Sequence, residues 1–354
     1  MAAAGELDLP YVDQKFNIPI QRSPFKRKNI GAYKQLKGTI DRNQYKIIHC
    51  HTPMGGVLAR LAARSARKHG TKVIYTAHGF HFCKGAPPLN WLIYYPIERT
   101  LARLTDCLIT INDEDYNLAV KHGFKAKQIE HVHGVGVDIN RFCPVKKFNK
   151  SVLRAEYGYK DDDFLLFYAA EFNKNKNQKL LIQALSHIKE NVPNAKLLLA
   201  GEGPMLQVCR NLAEQLGIAK MINFLGFRND VELLLKMSDI AVGSSFREGL
   251  PVNIMEAMAS GLPVVVSSNR GHSELIQNGI NGYTISPKNY QDFGLRILEI
   301  YQITELSKKM GIESRNKVKK FAIDQVSREL QSVYSTYMAE EINESKSKHN
   351  RAYI

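Results

Sequence analysis

The sequence predicts an α/β protein built from two doubly wound parallel sheets. Short apolar runs rich in β-branched residues alternate with stretches of helical period along most of the chain, which is typical of parallel strands buried on both faces. The chain has 354 residues, which is too long for one ordinary hydrophobic core and fits two domains. The first clear strand is predicted at residues 45–51 and the last helix at residues 324–338.

One βαβ unit in the second half of the chain carries the strongest pattern. Two apolar runs, at residues 239–242 and 262–266, are interpreted as buried parallel strands. Between them, Pro251 suits the first position of a helix and Gly261 suits the position just past its end. This helix has almost no polar face, so we expect it to be buried.

Two glutamates in this unit require partners. Glu256 lies within the apolar helix, and ionised carboxylates are rarely buried alone. Glu248 lies at the carboxyl end of the strand, where open α/β sheets bind ligands, and Gly249 with the free N–H groups of the first helical turn would hold an anion there. Since carboxylates accept hydrogen bonds from vicinal hydroxyls, the pair fits a sugar nucleotide. Alternatively, Glu248 caps the helix and Glu256 pairs with a lysine or arginine.

The surrounding residues resemble a known family. The two glutamates have seven residues between them and lie within Arg-Glu-Gly-Leu-Pro, Glu-Ala-Met-Ala and Gly-Leu-Pro-Val-Val, in that order. This pattern resembles the signature of glycosyltransferase family 4, which comprises retaining enzymes of the GT-B fold. The similarity extends from about residue 45 to residue 337 and is greatest with the branch that builds capsular polysaccharides or exopolysaccharides. It implies two Rossmann-like domains that face a cleft.

The resemblance implies roles for individual residues. Glu256 would bind the ribose hydroxyls and Glu248 the donor sugar. Lys176 would hold the diphosphate and stabilise charge as the glycosidic bond breaks, and His78 resembles the donor-sugar histidine, with His81 as the second choice. The other donor-binding residues would be the phosphate loop Gly249, Leu250 and Pro251, the glycines Gly201 and Gly203, which permit close approach of the backbone, and Arg228 beside the base.

The sequence departs from the family in two places. Ala170 and Glu171 stand where the family often has Gly-Arg, so one phosphate-binding cation is missing, and we expect Lys174 to compensate. The opening strand, glycine-rich loop and helix of the first domain are not visible before Phe16. The N-terminal domain is therefore predicted to lack its first βαβ unit, about 30 residues.

Four segments follow from this interpretation. Residues 1–145 form the N-terminal, acceptor-side Rossmann-like domain, and residues 146–320 form the domain that binds the nucleotide sugar. Residues 321–338 form a helix that packs back on the N-terminal domain, as is typical of GT-B enzymes. Residues 339–354, rich in Lys, Ser and Glu, are predicted to be a disordered tail.

The net charge limits the classes of partner, and the cysteine content indicates the cellular compartment. The formal net charge is +15, which favours nucleic acid, anionic lipid headgroups or a nucleotide diphosphate as partners. No nucleic-acid-binding motif is present. The basic residues 22–37, with Phe25 and Ile30, suit peripheral contact with an anionic membrane surface, or else form a solvated helix face. Five cysteines without a Cys-x-x-Cys pair favour reduced thiols in a cytoplasm.

No metal or other cofactor is expected. Two histidine pairs, His49 with His51 and His131 with His133, each share one face of a strand, but no third ligand has suitable spacing. Together with the cysteine content, the resemblance implies a cytoplasmic, metal-independent, retaining glycosyltransferase that moves a hexose or N-acetylhexosamine from a UDP-linked donor to a lipid-linked saccharide. The alternatives are an enzyme like the UDP-N-acetylglucosamine 2-epimerases, which share the fold, and an inactive remnant that binds nucleotide sugars.

Overall fold

The computed structural model describes residues 2–3, 12–145 and 147–351. It divides the chain into two compact units, Met1–Gly134 with Arg328–Ile354 and Val135–Ser327. The predicted boundary at residue 145 was too late. Residues after 134 belong to the second unit because Val137 pairs with Ala322 in a β-bridge and the Arg315 guanidinium donates hydrogen bonds to the carbonyls of Ile139 and Phe142.

The first unit contains a four-stranded parallel sheet in the order β3-β4-β5-β6 and, separately, the parallel pair β1 and β2. Its strands are β1 Ala2–Ala3, β2 Phe16–Asn17, β3 Ile47–His51, β4 Lys72–Ala77, β5 Cys107–Thr110 and β6 Gln128–His131. Its first five helices are α1 Lys28–Asn43, α2 Pro53–Ala62, α3 Arg64–Arg67, α4 Pro88–Leu101 and α5 Asp113–Lys121. A 3-10 turn, Ala102–Leu104, follows α4.

The second unit contains a six-stranded parallel sheet in the order β12-β11-β10-β7-β8-β9. Its strands are β7 Phe164–Ala169, β8 Ala195–Ala200, β9 Ile222–Gly226, β10 Ile240–Gly243, β11 Val264–Ser267 and β12 Gly282–Ile285. Its helices are α6 Lys147–Glu156, α7 Gln178–Ile188, α8 Leu206–Gln215, α9 Val231–Met237, α10 Val252–Ala259, α11 Arg270–Leu275, α12 Tyr290–Gln302 and α13 Thr304–Val318. Two 3-10 turns, Ala219–Met221 and Lys319–Phe321, complete it.

The βαβ unit predicted around the two glutamates is confirmed. Strands β10 and β11 are hydrogen-bonded neighbours, with Ala241 opposite Val264, and helix α10 connects them. Met255 and Met258 of α10 are fully buried. The apolar helix therefore lies in the interior, and Glu256 is its one ionisable side chain.

The last helix, α14 Ile323–Arg351, continues past the predicted end at residue 338. Its residues from Arg328 onward belong to the first unit, where the Tyr337 hydroxyl donates to the Asp106 carbonyl at 3.1 Å. The helix extends over residues 339–351, where a disordered tail was predicted, and Glu, Lys and Ala in this stretch favour the extension of an existing helix. Residues 352–354 lie outside the described residues. No helix in the described part of the chain is long and apolar enough to cross a bilayer.

Candidate active site

Lys176 and Glu248 form an ion pair at the carboxyl edge of the second sheet. The Lys176 Nζ atom lies 2.6 Å from Glu248 Oε1, and the two side chains are 23% and 14% exposed. The residues are far apart in sequence but follow β7 and β10, which are adjacent strands. Because parallel strands direct their carboxyl ends to one edge, the loops that follow these strands meet there.

The loop that carries Lys176 is held by its own asparagines. The Asn173 side-chain oxygen accepts the backbone N–H groups of Asn175 and Lys176, each at 3.0 Å. Asn175 in turn donates through Nδ2 to the Arg247 carbonyl at 2.9 Å. Asn177 adopts a left-handed conformation with φ of 51°, which asparagine tolerates better than most residues. This turn redirects the chain into α7 directly after the lysine, so the ammonium is held toward the Glu248 loop.

The Glu248 loop packs tightly against the start of α11. The Arg270 Nε–H donates to the Glu248 carbonyl at 3.0 Å. A Cβ atom on Gly271 would lie 2.8 Å from the Gly249 carbonyl oxygen and 2.9 Å from Glu248 Cβ, so only glycine fits there. Pro251 precedes α10, and no side chain caps that helix. The Ile254 N–H donates to the Asn253 side-chain oxygen at 3.0 Å, and among the described residues the N–H groups of Val252 and Asn253 are left for solvent or an anionic ligand.

Glu256 differs from Glu248 in having no counter-ion. Within the described residues its carboxylate makes no hydrogen bond and no ion pair, so the alternative that it pairs with a lysine or arginine is not what the structure shows. Burial raises the pKa of Glu256 to about 7, although Arg141 opposes this rise. Arg141 itself is bound to Glu232, with Nη2 and Oε2 2.7 Å apart. Glu256 is thus a half-buried acceptor that lacks a partner.

The backbone geometry requires glycine at positions 201 and 203, independently of any ligand. A Cβ atom on Gly201 would lie 2.1 Å from the Ala170 carbonyl oxygen, and one on Gly203 would lie 2.5 Å from that of Phe172. Both glycines have positive φ, 137° and 146°. They allow the chain after β8 to pass against the loop after β7, which shapes the Lys176 loop. Their contact with a nucleotide stays a prediction.

Arg228 and Lys174 contrast in their surroundings. The Arg228 Nε–H donates to Asp230 Oδ1 at 2.8 Å, and the Tyr157 hydroxyl donates to the second oxygen of the same carboxylate at 2.6 Å. Lys174 is exposed and makes no hydrogen bond or ion pair among the described residues. Arg228 is therefore rigidly oriented, whereas Lys174 would have to be ordered by a ligand.

His78 lies in the first unit, directly after β4, and contacts a second histidine. Its Nε2 is 3.0 Å from Nδ1 of His51, at the end of β3. Both ring nitrogens of His49 are engaged, by the Tyr334 hydroxyl at 2.5 Å and the Thr76 hydroxyl at 2.8 Å. Burial lowers the pKa of His78, so its imidazole is neutral near pH 7. His81, the second choice, packs its ring 4.6 Å from that of Tyr94.

Sequence reasoning missed several residues that build the site. Asn173 and Asn175 orient Lys176, while Arg270 and Gly271 support the Glu248 loop. The Ser244 hydroxyl adds a hydrogen bond of 2.6 Å to the Lys176 carbonyl. The asparagine-rich run at residues 173–177 was a usable signal, since such residues cap and turn loops. The contacts of residues 244, 270 and 271 depend on strand adjacency and had no local signal.

Comparisons with known proteins identify the family. The model described as Glycosyltransferase Family 4 matches residues 2–141, and that described as Glycosyl transferases group 1 matches residues 149–317. The putative glycosyltransferase EpsD of Bacillus subtilis is 49% identical over 338 residues, which cover 96% of this chain and 89% of that protein. The UDP-Gal:alpha-D-GlcNAc-diphosphoundecaprenol alpha-1,3-galactosyltransferase of Escherichia coli is 30% identical over 300 residues, 82% of this chain and 75% of that protein.

Solved structures identify the fold. Anabaena HepE, crystallised with UDP, aligns with a TM-score of 0.75 at 20% identity over 91% of this chain and 86% of its own. Sucrose-phosphate synthase from Thermosynechococcus elongatus also aligns with a TM-score of 0.75, at 17% identity over 92% of this chain and 84% of its own. The chain therefore belongs to the family 4 glycosyltransferases and has the GT-B fold.

Proposed function

We propose that the protein is a retaining glycosyltransferase that moves a hexose or N-acetylhexosamine from a UDP-linked donor to a lipid-linked saccharide, in the synthesis of a capsular polysaccharide or exopolysaccharide. The names of the relatives support this choice, since one acts on UDP-Gal and a diphosphoundecaprenol-linked sugar. HepE was crystallised with UDP and with UDP-glucose. Family membership favours the transferase over an epimerase.

One observation carries the proposal. The Lys176–Glu248 pair lies beside the uncapped start of α10, and the same helix presents the unpaired Glu256 carboxylate. The lysine and the helix N–H groups suit a diphosphate, while the two carboxylates suit sugar hydroxyls on either side of it. The donor sugar would exchange places with Lys176 at Glu248, which releases the ammonium to the leaving phosphate.

The chemistry can proceed on these charges without a metal. The bond from the anomeric carbon to the phosphate oxygen breaks while the acceptor oxygen forms a new bond to the same face of that carbon. The acceptor hydroxyl proton passes to the departing phosphate oxygen, so atoms and charge balance. Lys176 and the start of α10 stabilise the negative charge that develops on the UDP leaving group. His78 would bind the donor sugar as a neutral imidazole.

The acceptor and the membrane are part of the proposal. A lipid-linked saccharide remains in a bilayer, so the enzyme must work at its surface. The basic residues 22–37 would attract it to the anionic inner face of the cell membrane. All five cysteines are free thiols, which fits a reducing cytoplasm.

The decisive experiment is calorimetric titration of the whole chain with UDP and a panel of UDP-sugars, in the presence of EDTA. We expect binding in wild type, its loss in Glu256→Ala, and unchanged binding in Glu214→Ala, an exposed glutamate of α8. Folded wild type that binds GDP-sugars but no UDP-sugar would contradict the UDP-linked donor. Binding that requires added Mg²⁺ or Mn²⁺ would contradict metal independence.

A further inference from the structure

Helix α4 presents an apolar stripe to solvent. Leu89 is 61% exposed and Leu92 is 74% exposed. Pro96 is also exposed, and the spacing of three and then four residues places all three on one helix face. Residues 88–97 contain no charged side chain. A helix in contact only with water normally has a polar outer face, so this stripe indicates a contact surface.

The inner face of α4 is rigidly packed. The Tyr95 ring lies 5.5 Å from that of Phe82, in an edge-to-face arrangement, and the Trp91 Nε1–H donates to the Cys83 carbonyl at 3.3 Å. Glu98, the one acid of the helix, is buried and pairs with Arg60 at 2.8 Å. The leucines are therefore held outward by a fixed scaffold, and the glutamate does not oppose an anionic partner at the surface.

Topology places α4 in one layer with its neighbours. The strands follow the order β3-β4-β5-β6 in both sequence and space, and right-handed crossovers then put α2, α4 and α5 on one face of the sheet. Helix α1 packs on α2 in the same unit. Phe25 and Ile30, next to and within α1, are 86% and 61% exposed. Large apolar side chains are thus exposed on α4 and around the start of α1, two helices that both pack against α2.

The positive charge around these exposed apolar side chains favours an anionic partner. Residues 12–134 contain 20 lysines and arginines but 8 acids, two of which, Glu98 and Asp106, are buried in ion pairs. Lys84, in the loop before α4, and Arg99, in its last turn, are exposed, and Lys26, Arg27 and Lys28 are exposed beside Ile30. Two copies of such a surface would repel each other. An anionic lipid surface offers both the charge and the apolar interior that the stripe requires.

We propose that the outer face of α4, with the basic start of α1, docks the first unit onto an anionic lipid surface, where the leucines insert between headgroups. The inference rests on the proposed function, and it assigns the apolar part of the contact to α4 and the electrostatic part to residues 22–37. The loop of residues 78–87 connects His78 directly to α4. Docking through α4 therefore holds the His78 end of β4 close to the layer in which a lipid-linked acceptor lies.

Vesicle sedimentation tests the proposal. Wild type and two double variants are compared, Leu89→Ser with Leu92→Ser, and the matched control Leu295→Ser with Ile312→Ser, whose side chains on the second unit are 51% and 61% exposed. Vesicles consist of phosphatidylcholine alone or with phosphatidylglycerol. We expect wild type and control to bind the anionic vesicles, and the α4 variant to bind them at least about tenfold more weakly, because two leucines no longer leave water.

Three outcomes would overturn the proposal. The first is that the α4 variant binds anionic vesicles as tightly as wild type does, and the second is that wild type binds anionic and neutral vesicles equally. The third is that wild type self-associates without lipid and the α4 substitutions abolish this, which would assign the face to a second copy of the chain. Each protein is also titrated with UDP. Failure of UDP binding would contradict the proposed function, whereas the vesicle result depends only on the α4 face, so the two failures are distinguishable.

Discussion

Glu248 and Glu256 belong to one motif but meet opposite electrostatic environments. Glu248 is neutralised by Lys176 at 2.6 Å and lies in a loop that Arg270 supports. Glu256, on the helix that follows, is half-buried and has no ion pair among the described residues, and burial raises its pKa to about 7. In the proposed function the first carboxylate would exchange Lys176 for the donor sugar, whereas the second would gain its first partner from the ligand.

In the proposed function, this difference would let one short segment bind the reacting sugar and diphosphate of the donor through Glu248 and the ribose through Glu256. An ion pair that opens can release a cation onto a leaving group, which suits the reacting sugar and diphosphate. A carboxylate with unmet hydrogen bonds suits a part of the ligand that is only bound, such as ribose. Four predictions test the comparison.

The largest effect is expected at Lys176. Replacement by Met removes the cation that the proposed function assigns to the diphosphate, so we expect kcat for sugar transfer to fall about 100-fold, measured with a UDP-sugar and a lipid-linked acceptor. The matched control is Lys179→Met, an exposed lysine in the first turn of α7. An equal loss in both variants would show that the ion pair with Glu248 is not what distinguishes the catalytic lysine.

The second effect is on the affinity for UDP, which the Glu256 substitution should lower more than the Glu248 substitution does. Glu256→Gln should weaken UDP binding about tenfold or more, because hydrogen bonds to a charged carboxylate are lost. Glu248→Gln should change UDP affinity less than about threefold and instead reduce the transfer rate, since the proposed function assigns Glu248 to the donor sugar. Calorimetry gives the affinities. The comparison fails if UDP affinity falls equally in both variants.

The third effect is pH dependence. With a pKa of about 7, most Glu256 carboxyls are protonated at pH 6 and most are ionised at pH 8. The affinity for a UDP-sugar should therefore be about tenfold weaker at pH 6 than at pH 8. A UDP-sugar is used because its diphosphate does not titrate in this range. Glu256→Gln should flatten the profile, and an unchanged slope in that variant would assign the titration to another group.

The smallest effect is on the free energy of unfolding, which the two glutamate substitutions should change in opposite directions. Because the folded pKa of Glu256 lies above its usual 4.5, its contribution to stability is present below pH 4.5 and is lost as the pH rises through 7. Glu256→Gln should therefore stabilise the protein at pH 8 by about 1 kcal/mol, after discounting for the solvated part of the side chain. Glu248→Gln should destabilise it by about 1 kcal/mol, because the ion pair is lost. Urea unfolding at pH 8 and pH 4.5 measures both, and equal signs at pH 8 would contradict the comparison.

Local pattern was sufficient for the elements around the site. The βαβ unit of β10, α10 and β11 follows from two apolar runs separated by Pro251 and Gly261, because such runs form strands wherever a core can bury them. Prediction from the local sequence pattern failed where the assignment of a segment depends on contacts with residues distant in the chain. Residues 135–145 were predicted with the first unit, but Arg315 ties them to the second through hydrogen bonds to the carbonyls of Phe142 and Ile139, which lie 173 and 176 residues earlier in the chain.

The sequence by itself determined the fold class, the buried helix and the residue types that a sugar nucleotide requires. Only the tertiary structure decided that Lys176 reaches Glu248, that His51 reaches His78 and that the Glu256 carboxylate has no partner within the described part of the chain. The physical reason is strand order. Adjacent parallel strands bring the loops at their carboxyl ends within hydrogen-bonding distance, and which strands are adjacent, β7 with β10 and β3 with β4, is set by packing across the whole sheet rather than by any local stretch of sequence.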